Sequence, residues 1–140
     1  MRETFLLDTG PLVAFLNRTD RHHEWAKAQW ERVRPPFLTC EAVLAEACHL
    51  LRNHPGGSQA VLALVDRGVV QIGFTLEDEA ESVATLLGRY GNIPMSLADA
   101  CLVRMAERHG KSRVLTLDGD FRIYRKHRRQ VIPTVMPPRA

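Results

Sequence analysis

Apolar residues along this chain fall into short continuous runs that alternate with helically spaced stripes. Thr4-Phe5-Leu6-Leu7 is a run that stops at Asp8, and Gly10-Pro11 opens an apolar stretch to Leu16. The pattern predicts a buried strand, a turn, and a helix with proline at its first position. A second helix is expected over residues 21–32, with Trp25, Ala28 and Trp30 turned inward, and Pro35-Pro36 ends it. Phe37-Leu38-Thr39 has the length of a short strand, and Thr39 suits the cap of a helix over 41–52. Asn53-His54-Pro55-Gly56-Gly57 then breaks the chain.

Helical spacing resumes from Ser58 to Arg67 and stops at Gly68, after which Val69-Val70-Gln71-Ile72 reads as a strand. Glu77 to Leu87 is a helix with an acidic first turn, as the helix dipole favours. Beyond the loop Tyr90-Gly91-Asn92-Ile93-Pro94, a helix is expected from Ser96 to Arg108, closed by Gly110. Arg113-Val114-Leu115-Thr116-Leu117 follows as a strand ending at Asp118, and Gln130-Val131-Ile132-Pro133 is expected as the final edge strand. Strands separated by long helical segments need crossovers, so the fold class is α/β, a central parallel β-sheet flanked by α-helices in a Rossmann-like three-layer sandwich. The 140 residues suffice for one domain, 1–140, with neither repeat nor linker.

Composition narrows the functional classes. The chain is 45% hydrophobic and 25% charged, which excludes disordered and collagen-like classes. No apolar run approaches the ~20 residues that span a bilayer, and Met1-Arg2-Glu3-Thr4 lacks the long apolar segment of a signal peptide, so a cytoplasmic protein without membrane contact is expected. Three cysteines, Cys40, Cys48 and Cys101, form neither an even disulfide framework nor a close metal-binding pair, and buried free thiols in a reducing compartment are expected. The net charge of +3 hides an asymmetry: residues 101–140 carry ten Lys/Arg against three Asp/Glu, while residues 1–100 are net acidic. A basic segment of this kind suits nucleic-acid phosphates and equally suits a solvated surface.

The carboxylates change the picture more. Asp8 and Asp118 stand at strand ends, the edge at which open parallel sheets bind ligands. Glu46 has Ala42 and Val43 a turn before it and Leu50 a turn after, and Asp99 is followed by Leu102, Val103 and Ala106. A carboxylate beside an apolar stripe needs a cation or a metal to neutralise it, and no Lys or Arg stands a helical turn from Glu46 or a turn after Asp99. Oxygen-only clusters suit Mg²⁺ or Mn²⁺, which support phosphoryl-transfer hydrolysis without a Ser or Cys nucleophile. The candidate set is Asp8, Glu46, Asp99 and Asp118, with Asp120 close behind. Each has a plainer reading: Asp8 as the cap of Thr9-Gly10, Ser96-Leu97-Ala98-Asp99 as a capping box, Glu46 as a partly exposed helix residue, and Asp118 and Asp120 as turn formers.

These motifs, in this order, resemble those of the PIN-domain ribonucleases, and within them the VapC-type toxins of bacterial and archaeal type II toxin–antitoxin modules. Phe5-Leu6-Leu7-Asp8-Thr9-Gly10-Pro11-Leu12-Val13-Ala14 is similar to the first acidic motif, and Asp20-Arg21-His22-His23 to the segment that follows the first helix. Thr39-Cys40-Glu41-Ala42-Val43-Leu44-Ala45-Glu46 resembles the second motif, Ser96-Leu97-Ala98-Asp99-Ala100 the third, and Leu115-Thr116-Leu117-Asp118-Gly119-Asp120-Phe121 the fourth. The resemblance implies an endoribonuclease in which Asp8, Glu46, Asp99 and Asp118 form a metal pocket for Mg²⁺ or Mn²⁺. It further implies that Asp120 shares the ion, that Thr9 orients Asp8 or a phosphate, that the chain forms a homodimer, and that a small antitoxin covers the pocket. The region 52–93 matches least, which leaves substrate selection open.

Arg122, Arg125, Lys126, Arg128 and Arg129 cluster around Tyr124 and His127, a composition suited to phosphates and one stacked base. A noncatalytic RNA-binding or scaffolding domain working through this tail is the competing reading. Haloacid-dehalogenase phosphatases are discounted, since their second aspartate would fall on Gly10. His22-His23 is read as a surface pair, because adjacent histidines on a helix point about 100° apart.

Overall fold

The computed structural model describes residues 3–138; Met1 and Arg2, part of the N-terminal reading above, lie outside the described residues. Five strands form one sheet in the order β3-β2-β1-β4-β7, where β1 is Thr4–Leu7, β2 Phe37–Thr39, β3 Val70–Ile72, β4 Ser112–Leu115 and β7 Thr134–Val135. Every pairing in that sheet is parallel, with Leu6 opposite both Leu38 and Val114. Leu6, Leu7, Val114 and Leu115 are fully buried, as strands covered on both faces must be.

Six helices supply the crossovers: α1 Thr9–Leu16, α2 His23–Arg32, α3 Glu41–Leu50, α4 Gly57–Asp66, α5 Leu76–Arg89 and α6 Leu97–Arg108. Helices α1 to α4 pack on one another and α5 packs on α6. The chain moves from β1 outward to β2 and β3, then returns across β1 to β4. Right-handed crossovers therefore put the two helix groups on opposite faces and leave a switch point between β1 and β4. This is the expected three-layer α/β arrangement. Among the described residues no helix is long and apolar enough to cross a membrane.

Several local expectations are corrected. Helix α1 begins at Thr9, so Pro11 sits at its third position and Asp8 is its N-cap. Helix α2 begins at His23 and buries Ala26 and Gln29, while Trp25 and Trp30 are half-buried against the core. Thr39 does not cap α3; its hydroxyl donates to the Leu7 carbonyl at 2.8 Å, and Cys40 holds the cap position without a side-chain bond. The tail differs most. Arg125–Lys126 (β5) and Gln130–Val131 (β6) form a separate antiparallel hairpin, and only Thr134–Val135 joins the main sheet, beside β4. The three thiols are free as expected; Cys40 and Cys101 are buried, but Cys48 is only half-buried.

Candidate functional site

Asp8 follows the last residue of β1, and its backbone N–H continues the ladder to the Leu115 carbonyl at 3.0 Å. Its side chain is nearly fully buried. Oδ1 accepts from the Thr9 N–H at 2.7 Å and Oδ2 from the Thr116 hydroxyl at 2.6 Å. Burial is the largest influence and pushes the carboxyl from its ordinary 3.8 up to about 6; the two hydrogen bonds pull it back, and the charges of Asp99 and Asp118 add to the rise.

Asp99 arrives from the other helical layer, at the third position of α6. The capping box is present: Asp99 N–H donates to Ser96 Oγ and Ser96 N–H donates to Asp99 Oδ2, both at 3.0 Å. The structural reading of this residue is therefore correct, and it leaves the carboxylate facing the other acids. Burial raises the Asp99 pKa, with Asp118 and Glu46 contributing further charge. The Tyr124 hydroxyl lies 3.5 Å from Asp99 Oδ2.

Asp118 caps a 3-10 turn, Gly119–Arg122, by accepting from the Asp120 N–H at 2.9 Å, so the turn-former reading is also correct. Asp120 is half-buried, and its charge, with those of Asp99 and Asp118, acts on Tyr124. Glu46 follows the plainer of its two readings, that of an exposed helix residue. The buried side of α3 is Val43, Leu44 and Ala47, which leaves Glu46 exposed, and Leu50 is half-exposed as well. It reaches the group only through its charge on Asp99.

Asp8, Asp99 and Asp118 thus come from the ends of two neighbouring strands and the start of a helix to one edge, near enough to repel one another. None of the ion pairs among the described residues engages these three, Glu46 or Asp120. The carboxylates are each held by local hydrogen bonds and are not drawn to a point: no three His, Cys, Asp or Glu side chains among the described residues are grouped to grip an ion. The donor chemistry nevertheless fits a hard divalent cation. All donors are oxygen, their charge has no ion-pair partner among the described residues, and the Thr9 hydroxyl beside Asp8 is buried without a hydrogen-bond partner.

The basic tail divides. Arg122, Arg128 and Arg129 are exposed. Arg125 instead donates to the carbonyls of Arg122, Ile123 and Tyr124, and Lys126 is buried with Nζ 3.5 Å from the Gly110 carbonyl. His127 N–H donates to Glu107, eight residues beyond Asp99 on α6 and so about 12 Å along that helix. Tyr124 cannot offer a face to a base: it is fully buried, with Phe121 and Tyr90 set edge-on against it at 5.2 Å. Burial and the neighbouring acids push its hydroxyl pKa upward.

Two contributors escaped the sequence reading. Thr116 bridges the strand ends, donating to Asp8 and accepting from the Asp118 N–H at 2.9 Å. Gly10 packs against Leu117, where an added Cβ would stand 3.1 Å from the Leu117 side chain. A small polar residue just before an acidic turn was the available signal for the first. The second had none, since the contact is made across the fold.

A parallel α/β sheet that gathers uncompensated carboxylates at its switch point defines a recognisable class. The chain belongs to the PIN domain family, whose profile matches residues 5–126. Among solved structures it is similar to the sarcin-ricin loop cleaving toxin VapC20 of Mycobacterium tuberculosis, with a TM-score of 0.71 and 28% sequence identity over 84% of this chain and 92% of that one. A comparison with curated proteins by sequence finds no match.

Proposed function

We propose that this chain is a metal-dependent endoribonuclease, the toxin of a type II toxin–antitoxin module. The observation that carries the reading is the set of mutually repelling carboxylates at the β1/β4 crevice, Asp8, Asp99 and Asp118, which no ion pair among the described residues engages. Membership of the PIN domain family and the likeness to a toxin that cleaves the sarcin-ricin loop support it.

In this reading Asp8, Glu46, Asp99 and Asp118 hold Mg²⁺ or Mn²⁺, with Asp120 beside them. When bound, such an ion polarises the phosphate and makes water a better nucleophile near neutral pH. The chain's own residues do the positioning. Thr116 and the Thr9 N–H fix the Asp8 carboxylate, the capping box fixes Asp99, and the Asp120 N–H fixes Asp118. Thr9 offers its unpartnered hydroxyl to the same edge. Arg122, Arg128 and Arg129 are free to meet RNA phosphates; Arg125 and Lys126, also expected there, first serve the tail's own backbone. An antitoxin covering the acidic edge, a homodimer and a cytoplasmic setting complete the proposal.

The test is RNA cleavage by the purified chain with Mg²⁺ or Mn²⁺, against EDTA and against Asp99→Asn. Asparagine retains an acceptor for the Ser96 N–H, so the variant should keep its melting temperature while losing cleavage. Equal cleavage by both proteins sinks the reading. Tight RNA binding with no cleavage by the wild type would replace it with a noncatalytic RNA-binding domain.

A further inference from the structure

Between α1 and α2 lies a cleft of about 500 Å³ lined by Phe15, Arg18, His23, Glu24 and Lys27. Its aromatic wall is Phe15, which is backed by two further rings: Phe15 stacks on Trp30 with centroids 4.2 Å apart and planes 8° from parallel, and Trp30 rests on Phe37 at 4.4 Å. His23, read from sequence as a surface residue, is held in place by its Nδ1, which is 2.8 Å from the Ala14 carbonyl. If Nδ1 carries the proton, the remaining ring nitrogen is an acceptor, which a ribose 2′-hydroxyl can satisfy. Arg18 and Lys27 are exposed, and neither enters an ion pair among the described residues.

Charge separates this cleft from two others of similar size. One is lined by Asp78 and Glu79 with Arg108, the other by Glu41 and Glu77, and both would repel a polyanion. The α1–α2 cleft has two fixed cations against the single acid Glu24. Cations beside an aromatic surface form the combination that single-stranded nucleic acid takes, with the phosphate on the charge and the base on the ring. An acidic peptide would use the cations and leave the aromatic wall without a role. Helix α1 starts at the carboxylate edge and runs back along the sheet, so Phe15, six residues beyond Thr9, lies about 9 Å along the helix toward the strand starts, beside Trp30 and the first residue of β2, and one RNA strand would have to run from the acids down α1 to reach both places.

We infer that the α1–α2 cleft is a second RNA contact, in which Arg18 and Lys27 take a phosphate and Phe15 a base. That this nucleotide flanks the one to be cut rests on the nuclease reading above; the binding itself does not.

The experiment uses the full chain in EDTA, so that nothing is cut, and a fluorescein-labelled single-stranded oligoribonucleotide about ten nucleotides long, within the span of known single-strand sites. Fluorescence anisotropy is followed across a salt series for the wild type, Arg18→Ala/Lys27→Ala and Phe15→Leu. The double variant should bind about tenfold more weakly at low salt and lose about 1.4 from the slope of log affinity against log salt. Phe15→Leu should weaken binding about fivefold or more with an unchanged slope. Unchanged affinity and slope in the double variant overturn the proposal, whatever they do to a protein partner, and do so even if Phe15→Leu fails to fold. Adding Mn²⁺ separates the two readings. Weakened binding by the double variant while the wild type cuts nothing keeps the cleft and removes the nuclease; cleavage with unchanged binding in the double variant does the reverse.

Discussion

The hydroxyl of Thr116 donates to Oδ2 of Asp8 at 2.6 Å, joining the end of β4 to the end of β1, and the Thr116 hydroxyl oxygen accepts the Asp118 N–H at 2.9 Å. One side chain thus sets the spacing of two acids that repel each other. Thr116→Val keeps the shape and removes both bonds, leaving a partly buried N–H and a buried carboxylate each short of a partner, at a cost of about 1–3 kcal/mol. Because the Thr116 bond lowers the Asp8 pKa, its loss should raise that pKa further and weaken Mn²⁺ binding at neutral pH. Thr116→Ser should restore both. Urea unfolding and Mn²⁺ titration calorimetry check this, and a valine variant with wild-type values in each would refute it.

The raised pKa of Asp8 makes stability depend on pH in a stated direction. A carboxyl moved from 3.8 to about 6 on folding binds its proton more tightly in the folded chain. It therefore favours folding below about 3.8, and that contribution is lost as pH rises through about 6, at about 1.4 kcal/mol for each tenfold difference in proton affinity. In EDTA, the contribution of Asp8 should lower the melting temperature between pH 5 and pH 7.5, and Asp8→Asn should remove that part of the slope. The asparagine variant should be more stable than wild type at the upper pH and inactive in cleavage. Mn²⁺ should stabilise the wild type more at pH 7.5 than at pH 5, since protons compete for the same oxygen.

How much of this was legible in the sequence depends on whether the cause is local. Asp8 and Asp99 are marked by their immediate neighbours, an apolar strand before one and Ser96 three residues before the other, and both lie where pattern reasoning puts them, whereas the Thr116 bond that also holds Asp8 comes from another strand and left no local signal. For Glu46 the pattern left two readings open, because Ala42 and Leu50 look like core positions; the helix turns Val43, Leu44 and Ala47 inward and leaves Glu46 exposed. The tail hairpin turns at His127 and Arg128, with φ of 50° and 69°, a region that ordinarily calls for Gly or Asn, so no turn signal marked it. Nor can a sequence show that Arg125 folds back onto its own carbonyls.

That division of the tail gives a further expectation. Arg122→Ala/Arg128→Ala/Arg129→Ala removes three exposed charges and should flatten the salt dependence of RNA binding by about 2. Lys126→Met, at a buried position, should leave the salt slope alone and act only on stability. Anisotropy titrations at several salt concentrations separate the two, and a larger slope change for Lys126→Met than for the triple variant would show that the buried lysine is the phosphate contact.

Gly10 supplies the last test, because its cost and its benefit fall on different properties. It occupies the second position of α1 without a positive φ, so alanine there gains helix propensity of up to about 1 kcal/mol. The new methyl, however, would stand 3.1 Å from the Leu117 side chain, tighter than ordinary packing, and Leu117 immediately precedes Asp118. Relief requires the Leu117 segment to give by a few tenths of an ångström, and a shift there is passed to Asp118 and alters its spacing from Asp8. Gly10→Ala should therefore change unfolding free energy by less than about 1 kcal/mol, the two effects opposing each other, while cleavage and Mn²⁺ affinity fall at least about tenfold, a loss of about 1.4 kcal/mol or more in each. Leu117→Gly removes every side-chain atom the new methyl would meet, the Cβ at 3.1 Å included, so Gly10→Ala/Leu117→Gly should recover Mn²⁺ affinity relative to Gly10→Ala alone, a coupling that only contacting residues show. Additive losses in that double-mutant cycle would mean that Gly10 acts on the carboxylates by some route other than Leu117.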